Sequence, residues 1–208
     1  MRRGLLVAGG VTAAAIQADI RDPAQVAALF DGAEQVLGRL DALVVAAGIT
    51  GRSSTLADAP IDVIRDTIDL NVLGSLYCAR EAARRFATSR GGRGGAIVLV
   101  SSGAATLGSP GEFVWYAASK GAIDSLTLGL SKELARDGVR VNAVAPGLVD
   151  TELHARSTGE PGRVARMLPV IPFGRAAAPE EIAEPILWLL SDAASYVSGA
   201  ILRAAGGR

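Results

Sequence analysis

The chain has 208 residues, half of them hydrophobic, with 21 lysines and arginines against 21 aspartates and glutamates. Its length fits one domain over 1–208 with a substantial buried core, and is too short for two comfortable ones. Zero formal charge leaves no single-sign field to attract nucleic acid or an acidic surface, and one cysteine, Cys78, excludes an internal disulfide framework.

The first stretch, MRRGLLVAGGVTAAAIQA, mimics a secretory leader, but Gly9 and Gly10 interrupt its apolar middle and the residues after it read as core strand. No apolar run is long and pure enough to span a bilayer, so we expect a cytoplasmic protein without membrane contact. AAAIQADI (13–20) reads as a strand ending at Asp19. Asp22 then caps a helix with Pro23 at its first position. DALVVAAG (41–48) is a near-continuous apolar strand. Residues 59–88 read as a short helix leading into a long one, 91–95 as a glycine loop, and AIVLVSS (96–102) as a second buried strand. A helix over about 116–137, a strand in VRVNAVAPG (139–147), a helix over 178–192 and a last strand within 199–207 follow. Strands apolar on both faces, alternating with helices, predict an α/β fold with a parallel sheet covered on both sides. Ligands of such sheets bind beyond the carboxyl ends of the strands. The polar residues to read are therefore Asp19, Gly48, Ser101, Ser102, Pro146 and Gly147.

In SPGEFVWYAASKGAIDSL, Tyr116 and Lys120 are one helical turn apart with only Ala117, Ala118 and Ser119 between them. Residues i and i+4 share a helix face. An ordinary tyrosine titrates near 10, and a neighbouring ammonium favours the phenolate. The small residues leave room for a flat ligand. The pattern suits moving a proton to or from a substrate oxygen. Alone it is common by chance, but it has company. Ser102 ends a buried strand, Asn71 opens a long helix in DLNVLGS, Gly48 closes a strand, and Pro146, Gly147 and Thr151 follow another.

At this spacing the chain resembles the short-chain dehydrogenase/reductase family over about 17–207, and GSPGEFVWYAASKGAID with VRVNAVAPGLVDTEL resembles its bacterial glucose-dehydrogenase-like branch. The resemblance implies a Rossmann-like doubly wound sheet and reversible hydride transfer between NAD or NADP and a small carbonyl or alcohol. It implies that Tyr116 is the acid–base, that Lys120 lowers its pKa and binds the nicotinamide ribose, and that Ser102 holds the substrate oxygen. Asn71 would open its helix locally and anchor a relay water. Asp19 would meet the adenine, with Ile20 beside it. Gly48, with Ala47, would let the ribose approach. Val149 would hold the carboxamide, Thr151 the carboxamide or diphosphate, and Pro146 and Gly147 would line the cofactor. Relatives of this kind pair through their long helices, which implies a homodimer or homotetramer.

The sequence also departs from that pattern. The family's T-G-x-x-x-G-x-G turn, whose glycines bring pyrophosphate to a helix N-terminus, is absent from these 208 residues. GLLVAGG reads as the start of such a turn, as the end of the family's second helix (the alignment we favour), or as one arm of a hairpin around Gly9 and Gly10. In each case the first βα unit is missing, the fold is N-terminally truncated, and weak or absent cofactor binding is expected. The family's N-N-A-G is here Val45, Ala46, Ala47, Gly48; Leu99 stands where asparagine is common and Arg203 where an acid is common. A non-catalytic relative, or a truncated or mis-started chain, are the rival readings. Cys78 reads as a core residue, His154 as a solvated loop residue, and Trp115 as pocket lining or packing. No metal site is expected.

Overall fold

The computed structural model describes residues 3–8, 11–151 and 162–208; of 3–8 and 11 it describes the backbone. His154 lies outside the described residues. In chain order the strands are β1 (Arg3–Ala8), β2 (Val11–Ile16), β3 (Ala42–Val45), β4 (Gly95–Val100), β5 (Val139–Pro146) and β6 (Ile201–Ala204). The helices are α1 (Pro23–Leu37), α2 (Ile61–Ile68), α3 (Ser75–Phe86), α4 (Ala104–Leu107), α5 (Val114–Glu133), α6 (Arg163–Met167) and α7 (Glu180–Leu190).

The apolar runs become a parallel sheet in the order β3-β4-β5-β6. Side chains alternate across a strand, so each run feeds two cores. Ile97, Leu99, Val141 and Ala143 pack with Val26 and Phe30 of α1, Cys78, Ala82 and Phe86 of α3, and Ile123 of α5. Val98 and Val144 turn the other way, onto Ile182 and Leu189 of α7. Ile97, Val98, Val141 and Val144 are all fully buried, each worth about 1.5–3 kcal/mol relative to exposure. Helices on both faces are what the unbroken apolar runs required. Leu99, standing where relatives often have asparagine, is simply core. So is Cys78, whose burial pushes its thiol up to about 11.

The N-terminal expectation needs correction. The strand expected over 13–20 ends at Ile16 and does not enter the parallel sheet. β2 instead pairs antiparallel with β1, from Arg3 opposite Ile16 to Ala8 opposite Val11. Of the three readings of GLLVAGG, the hairpin is the one found. The physical reason is proximity: a partner strand two residues away in sequence closes a far shorter loop than a parallel neighbour. Among the described residues β3 therefore pairs on one side only, and Val44, which faces the α7 side, is 39% exposed. Helix α1 starts as read, with Asp22 accepting from the backbone N–H of Ala24 and Gln25 and Pro23 in the first turn. No helix among the described residues is long and apolar enough to cross a membrane.

Candidate active site

Beyond the carboxyl ends of β3, β4 and β5 lies a cavity of about 650 Å³. Its wall includes Gly48, Ser102, Tyr116, Lys120, Pro146, Gly147, Val149 and Thr151, eight of the residues singled out above. The Ser102 hydroxyl stands close enough to the Tyr116 phenol to favour its phenolate, and it accepts from the Ala104 N–H at 3.1 Å. Residues 14 apart in sequence meet because β4 ends at the cavity and α5 runs alongside it.

Lys120 is on the same face of α5, its ammonium 5.7 Å from the centre of the Tyr116 ring, and donates to the Val100 carbonyl at 2.7 Å. The lysine was expected to lower the tyrosine's pKa. In this geometry burial dominates and pushes the Tyr116 phenol up, and the Ser102 hydrogen bond draws it partly back. The ammonium itself is brought down to about 8 by burial, against the attraction of Asp124. Only 5% of Lys120 is exposed.

Asn71 is fully buried and forms no part of the cavity wall, but it braces it. Its side-chain oxygen accepts from the Ile49 N–H at 2.9 Å, and its amide donates to the Ile49 carbonyl at 2.8 Å and to Ser119 Oγ at 3.0 Å. Ser119 in turn donates to the Tyr116 carbonyl at 2.7 Å. The helix does open here: Asp69–Gly74 winds as a π turn between α2 and α3, and Ser75 Oγ donates to the Asn71 carbonyl at 2.7 Å. Such turns loosen the backbone ladder locally. Gly48 faces this brace. A Cβ added there would stand 3.2 Å from Asn71 Oδ1 and 3.5 Å from Lys120 Nζ. After β5, Leu148 and Asp150 bond to the backbone of Ala177 on either side of Val149, which turns Val149 to the cavity.

Asp19, Ile20 and Ala47 are not brought into the cavity wall. The Asp19 carboxylate holds the Arg21 guanidinium at 2.6 Å, which keeps the carboxyl below its usual range. Ile20 packs against Gly74, where a Cβ would come within 2.7 Å of its Cδ1. Trp115 is packed with Phe113 and Ala59 and donates to the Thr50 carbonyl at 2.8 Å, so of its two readings packing is the one found.

Sequence reasoning missed Ser119, the stitch between Asn71 and α5. Nor did it single out the side chains of Arg163, Arg166 and Glu112 on the cavity wall, which come from loops and a short helix without periodic signal. Arg203, noted above only as standing where an acid is common, donates to Thr106 Oγ1 and to the Arg208 carbonyl on that wall. Among the described lining residues Glu112 is the sole acid, facing Lys120, Arg163, Arg166, Arg203 and Arg208. Among the described residues, a neutral chain thus lines this cavity with five cationic side chains against one carboxylate.

A family model described as Enoyl-(Acyl carrier protein) reductase matches residues 4–208. The chain belongs to the short-chain dehydrogenase/reductase family. It is 51% identical over 204 residues to the uncharacterized oxidoreductase YgfF of Escherichia coli (strain K12), covering 98% of this chain and 82% of that one. It is 40% identical over 193 residues to cis-4-hydroxycyclohexanecarboxylate dehydrogenase of Sinomonas cyclohexanicum, covering 92% and 75%. A crystal structure of a short-chain type dehydrogenase/reductase from Mycobacterium marinum superposes with a TM-score of 0.85 at 34% identity, covering 92% of this chain and 74% of that one. The protein is therefore an NAD(P)-dependent oxidoreductase by family.

The buried lysine has a measurable consequence. Its pKa falls from 10.5 to about 8 on folding, so the unfolded chain binds more protons between those values. Stability should rise with pH across that window, by roughly 3 kcal/mol if no other group intervened. Tyr116 acts oppositely. Its raised pKa means the unfolded chain loses its proton first, so stability declines once pH passes the ordinary tyrosine range. Urea melts from pH 7.5 to 10 should show the rise in the parent (a window set by those two groups) and its loss in Lys120→Met. An equal slope in the variant would remove Lys120 as its source.

Proposed function

We propose that the cavity carries out hydride transfer between a nicotinamide cofactor and a small carbonyl or alcohol, with Tyr116 as proton donor to the substrate oxygen. The observation that carries this reading is that Ser102, Tyr116 and Lys120 line one cavity, with the lysine ammonium 5.7 Å from the centre of the tyrosine ring. In the reducing direction the carbonyl oxygen accepts from Ser102 and receives the Tyr116 proton as negative charge develops on it. Lys120 holds positive charge beside the forming phenolate and would hold the ribose of a bound cofactor. Asn71 fixes Ile49 and, through Ser119, the first turn of α5, so that the wall keeps its shape. Bound nicotinamide supplies the hydride.

Gly48, Pro146, Gly147, Val149 and Thr151, whose backbone and small side chains are among the cavity lining, would hold the nicotinamide half. The adenosine half finds less. Asp19 is ion-paired, and the N-terminus of α1 is occupied by the Asp22 carboxylate, which repels phosphate. The experiment is ketone-dependent oxidation of NADH or NADPH supplied at millimolar concentration. Oxidation no faster than without the ketone, across short aliphatic and cyclic ketones, would sink the proposal. A second reading, a relative that binds or assembles without catalysis, is favoured by the β1–β2 hairpin standing outside the parallel sheet. Its signature is no cofactor binding at any concentration.

A cytoplasmic site of action, resting on the single buried thiol, and self-association belong to the same proposal. Leu76 of α3 and Leu128 of α5 are 39% and 44% exposed, apolar side chains left uncovered on the two long helices. Burying them against a second copy is favourable. Light scattering at micromolar concentration should give a dimer or tetramer; a monomer refutes this.

A further inference from the structure

Ser101 and Asp124 stand next to the proposed proton-transfer groups, and that mechanism gives them no task. Ser101 is buried just past the end of β4, immediately before Ser102. Its hydroxyl donates to Asp124 Oδ1 at 2.5 Å, a length typical of a hydroxyl on a carboxylate. The Lys120 carbonyl, at 3.3 Å, is its weaker second acceptor. Asp124 follows Lys120 by four residues on α5, so carboxylate and ammonium share a helix face.

The peptide between Val100 and Ser101 ties both charges to the sheet. Its N–H donates to the Val144 carbonyl of β5 at 2.8 Å. Its carbonyl points to the β3 side, where pairing stops with Val45 opposite Leu99, and accepts from Lys120 Nζ at 2.7 Å instead. One strand end thus holds the ammonium through a carbonyl and the carboxylate through a hydroxyl. Burial brings the ammonium down to about 8, and the Asp124 charge acts against that. The other charged or titratable groups around α5 are engaged elsewhere. Burial keeps the Tyr116 phenol and the Cys78 thiol of α3 protonated. Asp69, on the π turn with Asn71, interacts with Arg21, and Asp62, Arg65 and Asp66 of α2 are exposed. Arg140 of β5 donates to the Leu189 carbonyl, and Glu112 on the cavity wall pairs with Arg163. β4 and α4 carry no charged residue.

We infer that Asp124, tethered by Ser101, keeps Lys120 charged beside Tyr116, so that Asp124 and Ser101 are positioning residues acting through Lys120. The use made of that charge rests on the hydride-transfer reading of the cavity; the charge itself does not.

Lysine occurs at two positions, Lys120 and Lys132. The 208-residue protein, isotopically labelled at the lysine Cε, therefore gives two NMR signals, which the Lys120→Met spectrum assigns. Titration through the lysine range should give Lys120 a midpoint of about 8 in the parent. Asp124→Asn keeps a hydrogen-bond acceptor for Ser101 and loses the charge. It should lower the midpoint by about half a unit or more, roughly a threefold weaker hold on the proton. Asp124→Glu, which restores the charge, should recover most of that shift. Ser101→Ala, which keeps the carboxylate and frees it, should lower the midpoint by a smaller amount, and decides the matter if the asparagine variant fails to fold by circular dichroism. A midpoint unmoved or raised in Asp124→Asn, or in Ser101→Ala where that variant has to serve, overturns the inference. So does a glutamate variant that titrates like the asparagine one. The readout is a titration, independent of turnover. Absence of ketone-dependent cofactor oxidation would strike the hydride-transfer reading and leave the comparison of midpoints intact.

Discussion

Replacing Tyr116 with phenylalanine is expected to lower ketone-dependent oxidation of the nicotinamide cofactor by about 10²–10⁴-fold, the range of a positioned general acid. The substitution removes one hydroxyl and nothing else. The ring keeps its edge-on contact with Phe113 and α5 keeps its packing, so the melting curve should stay close to the parent's. The lost oxygen is the one beside the Ser102 hydroxyl. Without it Ser102 can still donate to a substrate oxygen, but no side chain at that point delivers a proton. Lys120 is assigned a different task, holding charge beside the ring with its ammonium 5.7 Å from the ring centre and one donor on the Val100 carbonyl. A rate within about threefold of the parent, less than 1 kcal/mol of barrier, would take Tyr116 out of the chemistry.

The second large effect concerns the cofactor. The 208-residue chain is expected to bind NADH and NADPH weaker than micromolar by powers of ten. The family's pyrophosphate rests on a helix N-terminus presented by a glycine-rich turn, and these residues contain no such turn. The dipole interaction alone contributes about 0.3–1 kcal/mol when exposed and up to about 2 when partly buried. Each backbone hydrogen bond to a charged phosphate contributes about 1.5–3 kcal/mol more. At about 1.4 kcal/mol per factor of ten, losing several of them is decisive. The structure adds two reasons. β3 has no neighbour on its outer edge among the described residues, where the family's first strand would carry the turn. Asp19 is closed on Arg21 and stands outside the cavity wall. Calorimetric titration measures it directly. Micromolar affinity for either cofactor would refute the expectation and would direct attention to Arg203 and Arg208, cationic residues on the cavity wall beside Gly147.

Much of this protein was legible from its residues because the relevant physics is local. An apolar run such as AIVLV has to be buried on both faces, whatever covers it, and that dictates a parallel sheet between helix layers. Asp22 followed by Pro23 starts a helix through its own backbone geometry. Tyr116 and Lys120 share a face because four residues make about one turn. What the residues left open was decided by contacts distant in sequence. The segment TAAAI has no side chain that distinguishes a parallel neighbour from a hairpin partner, and the nearer partner took it. The state of Tyr116 depended on how much water the assembled cavity excludes, and burial outweighed the nearby ammonium that the spacing had suggested. Arg163 and Glu112, 51 positions apart, belong to segments with no periodicity to read. Only the tertiary fold placed that buried guanidinium against a carboxylate it shares with Arg166.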